Sequence, residues 1–369
     1  VAISTKKIII LENTYYTVLS LRMEILRHFK AKGYEIYVLS KAEKNDIEIL
    51  EKEGFICKPV GTVVLNPIKA FQFFMLLIRE IKQIQPDIIF SFTIRPNIFG
   101  SLAARLLSIP IVSNVTGTGP LTTDNGLVYS LLRMANKLAF TKNQRVFFQN
   151  QDDYSFFIKN KYVKIEQAKL LPGSGVDTDY YSPRPKTHKG FSFLMVSRLI
   201  IDKGVRDYVE AARIVRSSFP QIQFQLLGPY WLQSRASNTI TDSEVKAWQD
   251  EGLINYLGYT LDVRPFMAEA DAIVLPSYRE GCANVLMQGA SMAKPLIATD
   301  VTGCRNLIND GETGYLCEVR NPESLAEKMI ALFKLSDENR YEMGRKGREK
   351  MMKEYQKKIV LEAYEWEVS

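Results

Sequence analysis

The sequence predicts an α/β protein built from two doubly wound domains. Three observations carry this. Short runs rich in Ile, Val, Leu and Phe alternate with longer helical stretches along the whole chain. The runs are continuously apolar rather than alternating, which marks strands buried on both faces of a parallel sheet covered by helices. The pattern is interrupted once, at Tyr181–Gly190 (YSPRPKTHKG), where two prolines, a glycine and three basic residues read as a linker, and then begins again. A chain of 369 residues also exceeds one ordinary core and fits two domains of about 150–200 residues each. The expected division is 1–183, 184–345 and a helical tail over 346–369 that packs back toward the first domain.

In the first half, Lys7–Leu11 (KIIIL) is the first buried strand, Arg22–Lys32 a helix and Glu35–Ser40 the next strand. A charged helix over Lys44–Glu53, a strand near Phe55–Cys57 and a helix over Pro67–Ile84 follow. Asp87–Ser91, Ile109–Asn114, Gln144–Gln149 and Lys169–Leu171 are further strands, with helices between. The second half starts with a strand at Phe191–Val196, a helix at Gly204–Ser218 and a strand at Ile222–Leu227. Asn255–Leu257, Ala272–Leu275, Pro295–Thr299 and Gly314–Cys317 are short strands. Helices near Asp262–Ala270, Asn284–Ala293 and Pro322–Lys334 separate them, and Glu338–Trp366 is one helical tail by pattern and charge. Ligands of such sheets bind beyond the carboxyl ends of the strands, so a cleft between the domains is the expected site.

Hydrophobic residues make up 46% and charged residues 24% of the chain, which excludes low-complexity disorder and fibrous folds. The net charge is +7, and residues 1–180 hold all of the excess, with 23 basic and 16 acidic side chains. Such a surface suits an anionic membrane, an anionic substrate or a nucleic acid, or is a solvated lysine-rich face. No aromatic–basic RNA module or helix-turn-helix is visible, so nucleic acid is not an expected partner. Cys57, Cys282, Cys304 and Cys317 form no CxxC pair, and with only His28 and His188 a zinc site is not expected. Free thiols in a reducing compartment follow. No run reaches the roughly 20 apolar residues of a membrane span, and Val1–Lys7 does not read as a signal peptide. The apolar stretch Phe71–Ile78 either dips into a membrane surface or belongs to the core.

Three segments carry the argument. Glu12–Ser20 (ENTYYTVLS), after the first strand, has no glycine, which removes the dinucleotide-binding fingerprint. Its Tyr15, Tyr16 and Thr17 either line the cleft or pack. Ser197–Gly204 (SRLIIDKG) puts Arg198 and Lys203 after the first strand of the second domain, and two fixed cations suit a diphosphate. Asp271–Ala293 (DAIVLPSYREGCANVLMQGASMA) reads as a buried strand, a polar loop and a helix beginning at Asn284. Free amides at such a helix start hold phosphate oxygens. Glu280 is no phosphate ligand and suits sugar hydroxyls or a helix N-terminus.

These residues resemble the retaining glycosyltransferases of family 4, whose GT-B architecture sets two Rossmann-like domains face to face across a deep cleft. Pro276-Ser277-Tyr278-Arg279-Glu280-Gly281, then Gln288-Gly289-Ala290 and Lys294-Pro295, are similar to the family's PSxxEGxPxxxxEAxAxGxP segment. Ser197-Arg198-Leu199 with Lys203-Gly204 resembles its GRLxxxKG motif, and Pro172–Asp177 through Tyr181-Ser182-Pro183 its PxGVDxxxFxP segment. Gly258 with Asp262-Val263 resembles LGxxxDV, and Thr299–Arg305 and Asp310–Tyr315 resemble later donor-domain segments. The likeness spans most of the chain and is strongest from 169 to 320. The first domain looks closest to members that extend lipid-linked glycans for O-antigen, capsule or protein glycosylation, whose acceptor-side loops Ser91–Pro96 and Val115–Leu121 resemble; Gly117–Gly119 there is a site or a plain turn.

The resemblance implies transfer of a hexose or N-acetylhexosamine from a nucleotide diphosphate sugar, expected to be UDP-linked, to a polyprenyl-diphosphate-linked acceptor. It implies a place on the cytoplasmic face of the inner membrane, with no metal and no cofactor. Arg198, Lys203 and Glu280 would be catalytic. Gly281, Ala283, Asn284, Val285 and Gln288 would bind the donor, and Arg95, Thr118 and Gly119 the acceptor or diphosphate side. One departure matters: Gln288 stands where the family has its second Glu. A carboxylate accepts from both hydroxyls of a ribose, whereas an amide oxygen accepts and its nitrogen only donates. Weaker donor binding is expected, with the chemistry retained. A nucleotide-sugar-binding protein of little turnover and a GT-B nucleotide-sugar epimerase are the alternatives, the second poorly served by two histidines.

Overall fold

A computed structural model of the chain describes residues 5–41, 44–61, 67–117, 127–187, 189–231 and 238–368. It divides into two compact units: Val1–Ser174 with Val360–Ser369, and Gly175–Ile359.

The first unit holds a parallel sheet of seven strands among the described residues: β1 (Lys7–Thr14), β2 (Glu35–Lys41), β3 (Ile56–Pro59), β4 (Ile88–Phe92), β5 (Ile111–Val115), β6 (Arg145–Phe148) and β7 (Ala168–Leu170). Their order is β3-β2-β1-β4-β5-β6-β7. Ile8 pairs with Ile36 on one side and Ile88 on the other, so the order reverses between β1 and β4. The apolar runs bury both faces, as their composition requires. One face takes α1 (Tyr15–Leu21), α2 (Met23–Ala31) and α3 (Lys44–Lys52). The other takes α4 (Pro67–Ile84) and α5 (Ile94–Leu107), with α6 (Leu127–Phe140) packed on α5. α7 (Gln151–Lys159) precedes β7.

The second unit repeats the plan with β8 (Ser192–Val196), β9 (Gln223–Leu227), β10 (Asn255–Tyr256), β11 (Ala272–Leu275), β12 (Leu296–Thr299) and β13 (Gly314–Cys317). The order is β10-β9-β8-β11-β12-β13. Its helices are α8 (Val205–Ser218), α9 (Asp242–Asp250), α10 (Arg264–Glu269), α11 (Asn284–Ser291), α12 (Pro322–Lys334) and α13 (Asp337–Glu354). The final helix, α14 (Lys357–Val368), follows.

Three expectations change. The Glu12–Ser20 segment is not a loop. β1 continues to Thr14, whose side chain caps α1 by accepting from the Thr17 amide. Tyr15 is fully buried and donates its hydroxyl to the Val38 carbonyl at 3.2 Å, so it packs. The tail is two helices, not one. Val176 forms a parallel bridge there, its N–H donating to the Tyr355 carbonyl at 2.8 Å and its carbonyl accepting from the Lys357 amide at 3.0 Å. Those backbone groups are lost to a continuous helix. The Phe71–Ile78 stretch is divided by helical periodicity, Phe73 and Leu77 entering the core while Phe71 and Met75 face solvent. No helix among the described residues is long and apolar enough to cross a membrane.

α14 completes the first unit. Val360, Ala363 and Tyr364 join its core, and the Tyr364 ring lies edge-on to Phe90 (4.9 Å) and Phe147 (5.1 Å). The Tyr364 hydroxyl donates to Asn114 Oδ1 on β5. Nearby, Arg22 and Glu12 form a buried ion pair at 3.3 Å, with the guanidinium 4.2 Å over the Phe92 ring. Burial pushes the Glu12 carboxyl up, and the Arg22 charge opposes that shift. Tyr364→Ala is expected to cost about 3–5 kcal/mol, while Trp366→Ala, at a ring 78% exposed, costs under about 0.5 kcal/mol. Urea unfolding of the two variants checks this, and equal midpoints would remove α14 from the core.

Candidate functional site

The central strands of the second unit, β8, β11 and β12, commit nearly all their side chains to packing, so polar chemistry gathers in the loops after them. Beyond β8 the chain runs through Ser197 and Arg198 to a short helical turn, Ile201–Lys203, and enters α8 at Gly204. Gly204 has φ 73°, and a methyl group there would lie 2.0 Å from the Pro276 carbonyl oxygen. The residue is glycine because the loop after β11 passes directly against it. That second loop is held by the Tyr278 amide donating to the Asp202 carbonyl at 2.8 Å and by Ser277 Oγ donating to the same oxygen at 3.2 Å.

The two loops bring Lys203 onto Glu280. Their side chains form an ion pair, 16% and 12% exposed. A third loop, after β12, closes against them. Thr299 Oγ1 donates to the Ser277 carbonyl, the Glu280 amide to Thr302 O at 3.3 Å and the Ala283 amide to Gly303 O at 3.1 Å. Gly303 (φ 81°) would place a methyl 2.6 Å from the Glu280 carbonyl oxygen. α11 then starts at Asn284, with Ala283 as an N-cap that supplies no side-chain acceptor. Its first-turn amides, Asn284 and Val285, with Gly281 in the preceding loop, make an end suited to an anion. The Arg198 guanidinium sits 4.9 Å from the Trp231 ring centre.

Gln288 lies one turn further along α11. Its Nε2 donates to the Tyr181 hydroxyl oxygen at 3.0 Å. The amide oxygen is thereby the atom turned to acceptor duty, and the Tyr181 hydroxyl keeps its own proton to donate. Tyr181 is fixed in turn: its carbonyl accepts from Ser291 Oγ at 2.8 Å, and Asp177 Oδ1 accepts from the Asp179 and Tyr180 amides. Burial, and then the Glu280 charge, push the Cys282 thiol up to about 12. It stays protonated at neutral pH and supplies no nucleophile.

The structure therefore brings Lys203, Glu280, Gly281, Ala283, Asn284 and Val285 together where the loops after β8, β11 and β12 meet, with Arg198 earlier on the first of these loops and Gln288 one turn into α11. Arg95 lies in the first unit, exposed on the first turn of α5. Thr118 and Gly119 lie outside the described residues. Sequence reasoning missed Trp231 beside Arg198, Gly303 beneath Glu280, and the fixture of Tyr278, whose hydroxyl donates to Asp207 at 3.2 Å beneath Arg320. Gly303 carried a signal, since a Thr-Gly pair directly after a buried strand marks a tight loop. The other two are contacts across the sheet. Among the described residues, no group of three or more His, Cys, Asp or Glu side chains is placed to hold a metal ion.

Two parallel sheets, each wrapped by helices, and a cationic loop layer with a helix start beside it define a class. Residues 7–150 match the family model described as "Glycosyl transferase 4-like", and residues 190–334 match "Glycosyl transferases group 1". The chain is a glycosyltransferase of the GT-B class, related to the family-4-like enzymes. It is similar to the N,N'-diacetylbacillosaminyl-diphospho-undecaprenol alpha-1,3-N-acetylgalactosaminyltransferase of Campylobacter jejuni, at 25% identity over 86% of each chain. It is 24% identical to the UDP-Gal:alpha-D-GlcNAc-diphosphoundecaprenol alpha-1,3-galactosyltransferase of Escherichia coli, over 79% of this chain and 84% of the other. Its fold matches the Anabaena HepE structure in complex with UDP and glucose, with a TM-score of 0.80 at 15% identity, covering 98% of both chains.

The loop contact at Gly204 is tested against a matched control. Gly252 has a nearly identical φ of 71° but open space around it. Gly252→Ala is expected to cost about 1–2 kcal/mol for left-handed strain alone. Gly204→Ala carries that strain and adds a further ~1–3 kcal/mol of overpacking against Pro276. Thermal or urea unfolding of both variants reads the difference, and equal losses would remove the steric role of Pro276.

Proposed function

We propose that the chain is a retaining glycosyltransferase that moves a hexose or N-acetylhexosamine from a UDP-sugar to a lipid-linked glycan acceptor, in surface-polysaccharide or glycoprotein-glycan synthesis. The observation that carries this reading is the Lys203–Glu280 ion pair, which joins the loop that carries Arg198 to the loop that leads into α11. In the reaction the bond between the anomeric carbon and the β-phosphate oxygen breaks, and the electron pair leaves with the diphosphate. The acceptor hydroxyl bonds to the same face of the carbon, and its proton passes to the departing phosphate oxygen. Arg198, Lys203 and the amides of Asn284 and Val285 take up the charge that develops on the diphosphate. Cations and amides fill the place of a metal ion in this scheme.

Glu280 orients the donor sugar. While Lys203 is held on Glu280 its charge is compensated, and an arriving diphosphate competes with Glu280 for that ammonium. Gln288 accepts from one ribose hydroxyl through its oxygen while Tyr181 holds its nitrogen. Arg95, Thr118 and Gly119 serve the acceptor side. The relatives named for diphospho-undecaprenol substrates support a lipid-linked acceptor, and the HepE complex supports UDP as the nucleotide. The enzyme then works peripherally at the cytoplasmic face of the membrane that carries the acceptor.

Thermal unfolding with UDP, GDP, ADP and CDP in parallel tests the donor site. UDP is expected to raise the midpoint most, since saturation at about 100 times Kd adds about 2.7 kcal/mol. Arg198→Ala is expected to abolish the shift. Gln288→Glu is expected to tighten UDP by about three- to tenfold, as a carboxylate accepts from both ribose hydroxyls. No shift with any nucleotide at millimolar concentration overturns the donor-site reading. UDP binding without transfer to any lipid-linked acceptor gives the binding-protein reading instead.

A further inference from the structure

The surface of the first unit is uneven in both charge and polarity. Residues 67–145 hold nine basic and three acidic side chains, which is most of the chain's excess of +7. This segment forms α4, α5 and α6, which pack side by side, α4 on α5 and α5 on α6. Glu80 is the one acidic residue in the three helices, and it lies 3.8 Å from Arg79. Lys69, Arg79, Lys82, Arg105 and Lys137 are exposed on them.

Among the described residues the same helices hold six large apolar side chains in solvent: Ile68, Phe71 and Met75 on α4, Leu106 on α5, and Met134 and Leu138 on α6. Ile68 is 71%, Phe71 64% and Leu106 67% exposed. Ile68, Phe71 and Met75 are spaced by three and four residues, so they form one outward stripe of α4, while Phe73, Leu77 and Ile81 fill the core. A face that mixes lysines with bulky apolar side chains and nearly excludes acids is unlike a protein–protein interface, whose core is depleted of lysine. It matches the interfacial zone of a bilayer, where apolar tips enter the acyl boundary and basic groups meet anionic headgroups.

The geometry points to the outer face of α4, α5 and α6 as the surface by which the protein docks on an anionic lipid bilayer. This deepens the lipid-linked reading above and rests on it only for the acceptor. Phe71 and Met75 insert, Lys69, Lys82 and Arg105 pair with headgroups, and the buried side of α4 keeps the helix fixed to its sheet.

The test is co-sedimentation with vesicles of phosphatidylcholine alone or mixed with phosphatidylglycerol, at low and high salt and without acceptor. Wild type is expected to bind the mixed vesicles, to lose most binding at high salt and to bind phosphatidylcholine weakly. Phe71→Glu with Met75→Glu is expected to lower the partition by about tenfold or more. Ile165→Glu, at another exposed apolar residue of the same unit (63%), should stay within about twofold. Failure of wild type to bind anionic vesicles overturns the proposal, as does a double variant that binds like wild type. A change of oligomeric state in the double variant overturns it too, by assigning the face to a second copy. If vesicle binding follows expectation while no lipid-linked acceptor is glycosylated, the docking surface stands and the acceptor reading falls.

Discussion

The candidate site hangs on one close backbone contact, Gly204 against the Pro276 carbonyl. Because Gly204 has no side chain, the loop after β8 passes within touching distance of the loop after β11. That approach puts the Asp202 carbonyl within reach of Tyr278 and Ser277, and Lys203 within reach of Glu280. Gly303 repeats the device one strand further along, letting the loop after β12 lie under Glu280 and Gly281. The charged layer is thus set by backbone packing, which holds it in place before any ligand arrives. Preorganisation of that kind spares a polar site the cost of ordering itself on binding.

Charge balance inside the layer follows from the same packing. A lysine and a glutamate so little exposed would each be costly alone, and as a pair they are tolerable. Asp207, beneath Tyr278, shows the opposite arrangement: burial pushes its carboxyl up, with the Tyr278 hydroxyl and the Arg320 charge only partly offsetting it. One carboxylate sits where the loops meet with a cation beside it, and the other is tucked under the loop as a strut.

The strand runs were legible because parallel sheets demand unbroken apolar segments, and every one of them forms a strand within a few residues of the expected place. The positions of the candidate loops in the second unit were legible because their polar residues follow those runs directly. What escaped is what depends on partners far away in sequence. Tyr15 packs because Val38 offers a carbonyl across the sheet, and the tail breaks because Val176 takes its hydrogen bonds. Neither is encoded in local periodicity. Trp231 beside Arg198, and Tyr181 beside Gln288, belong to the same kind: side chains brought together over about 30 and about 100 positions by topology.

α14 has a consequence for how the molecule is made. Val360, Ala363 and Tyr364 belong to the core of the first unit, yet they are synthesised after the whole of the second unit. Between Ser174 and Val360 the whole second unit must be synthesised, which takes on the order of ten to forty seconds at ordinary rates of chain growth. Throughout that interval the ring pocket formed by Phe90, Phe92 and Phe147 stands open. The usual order of vectorial folding, N-terminal domain first, is therefore inverted: the second unit holds its complete sequence before the first does, and the arrival of α14 is what seals the older half.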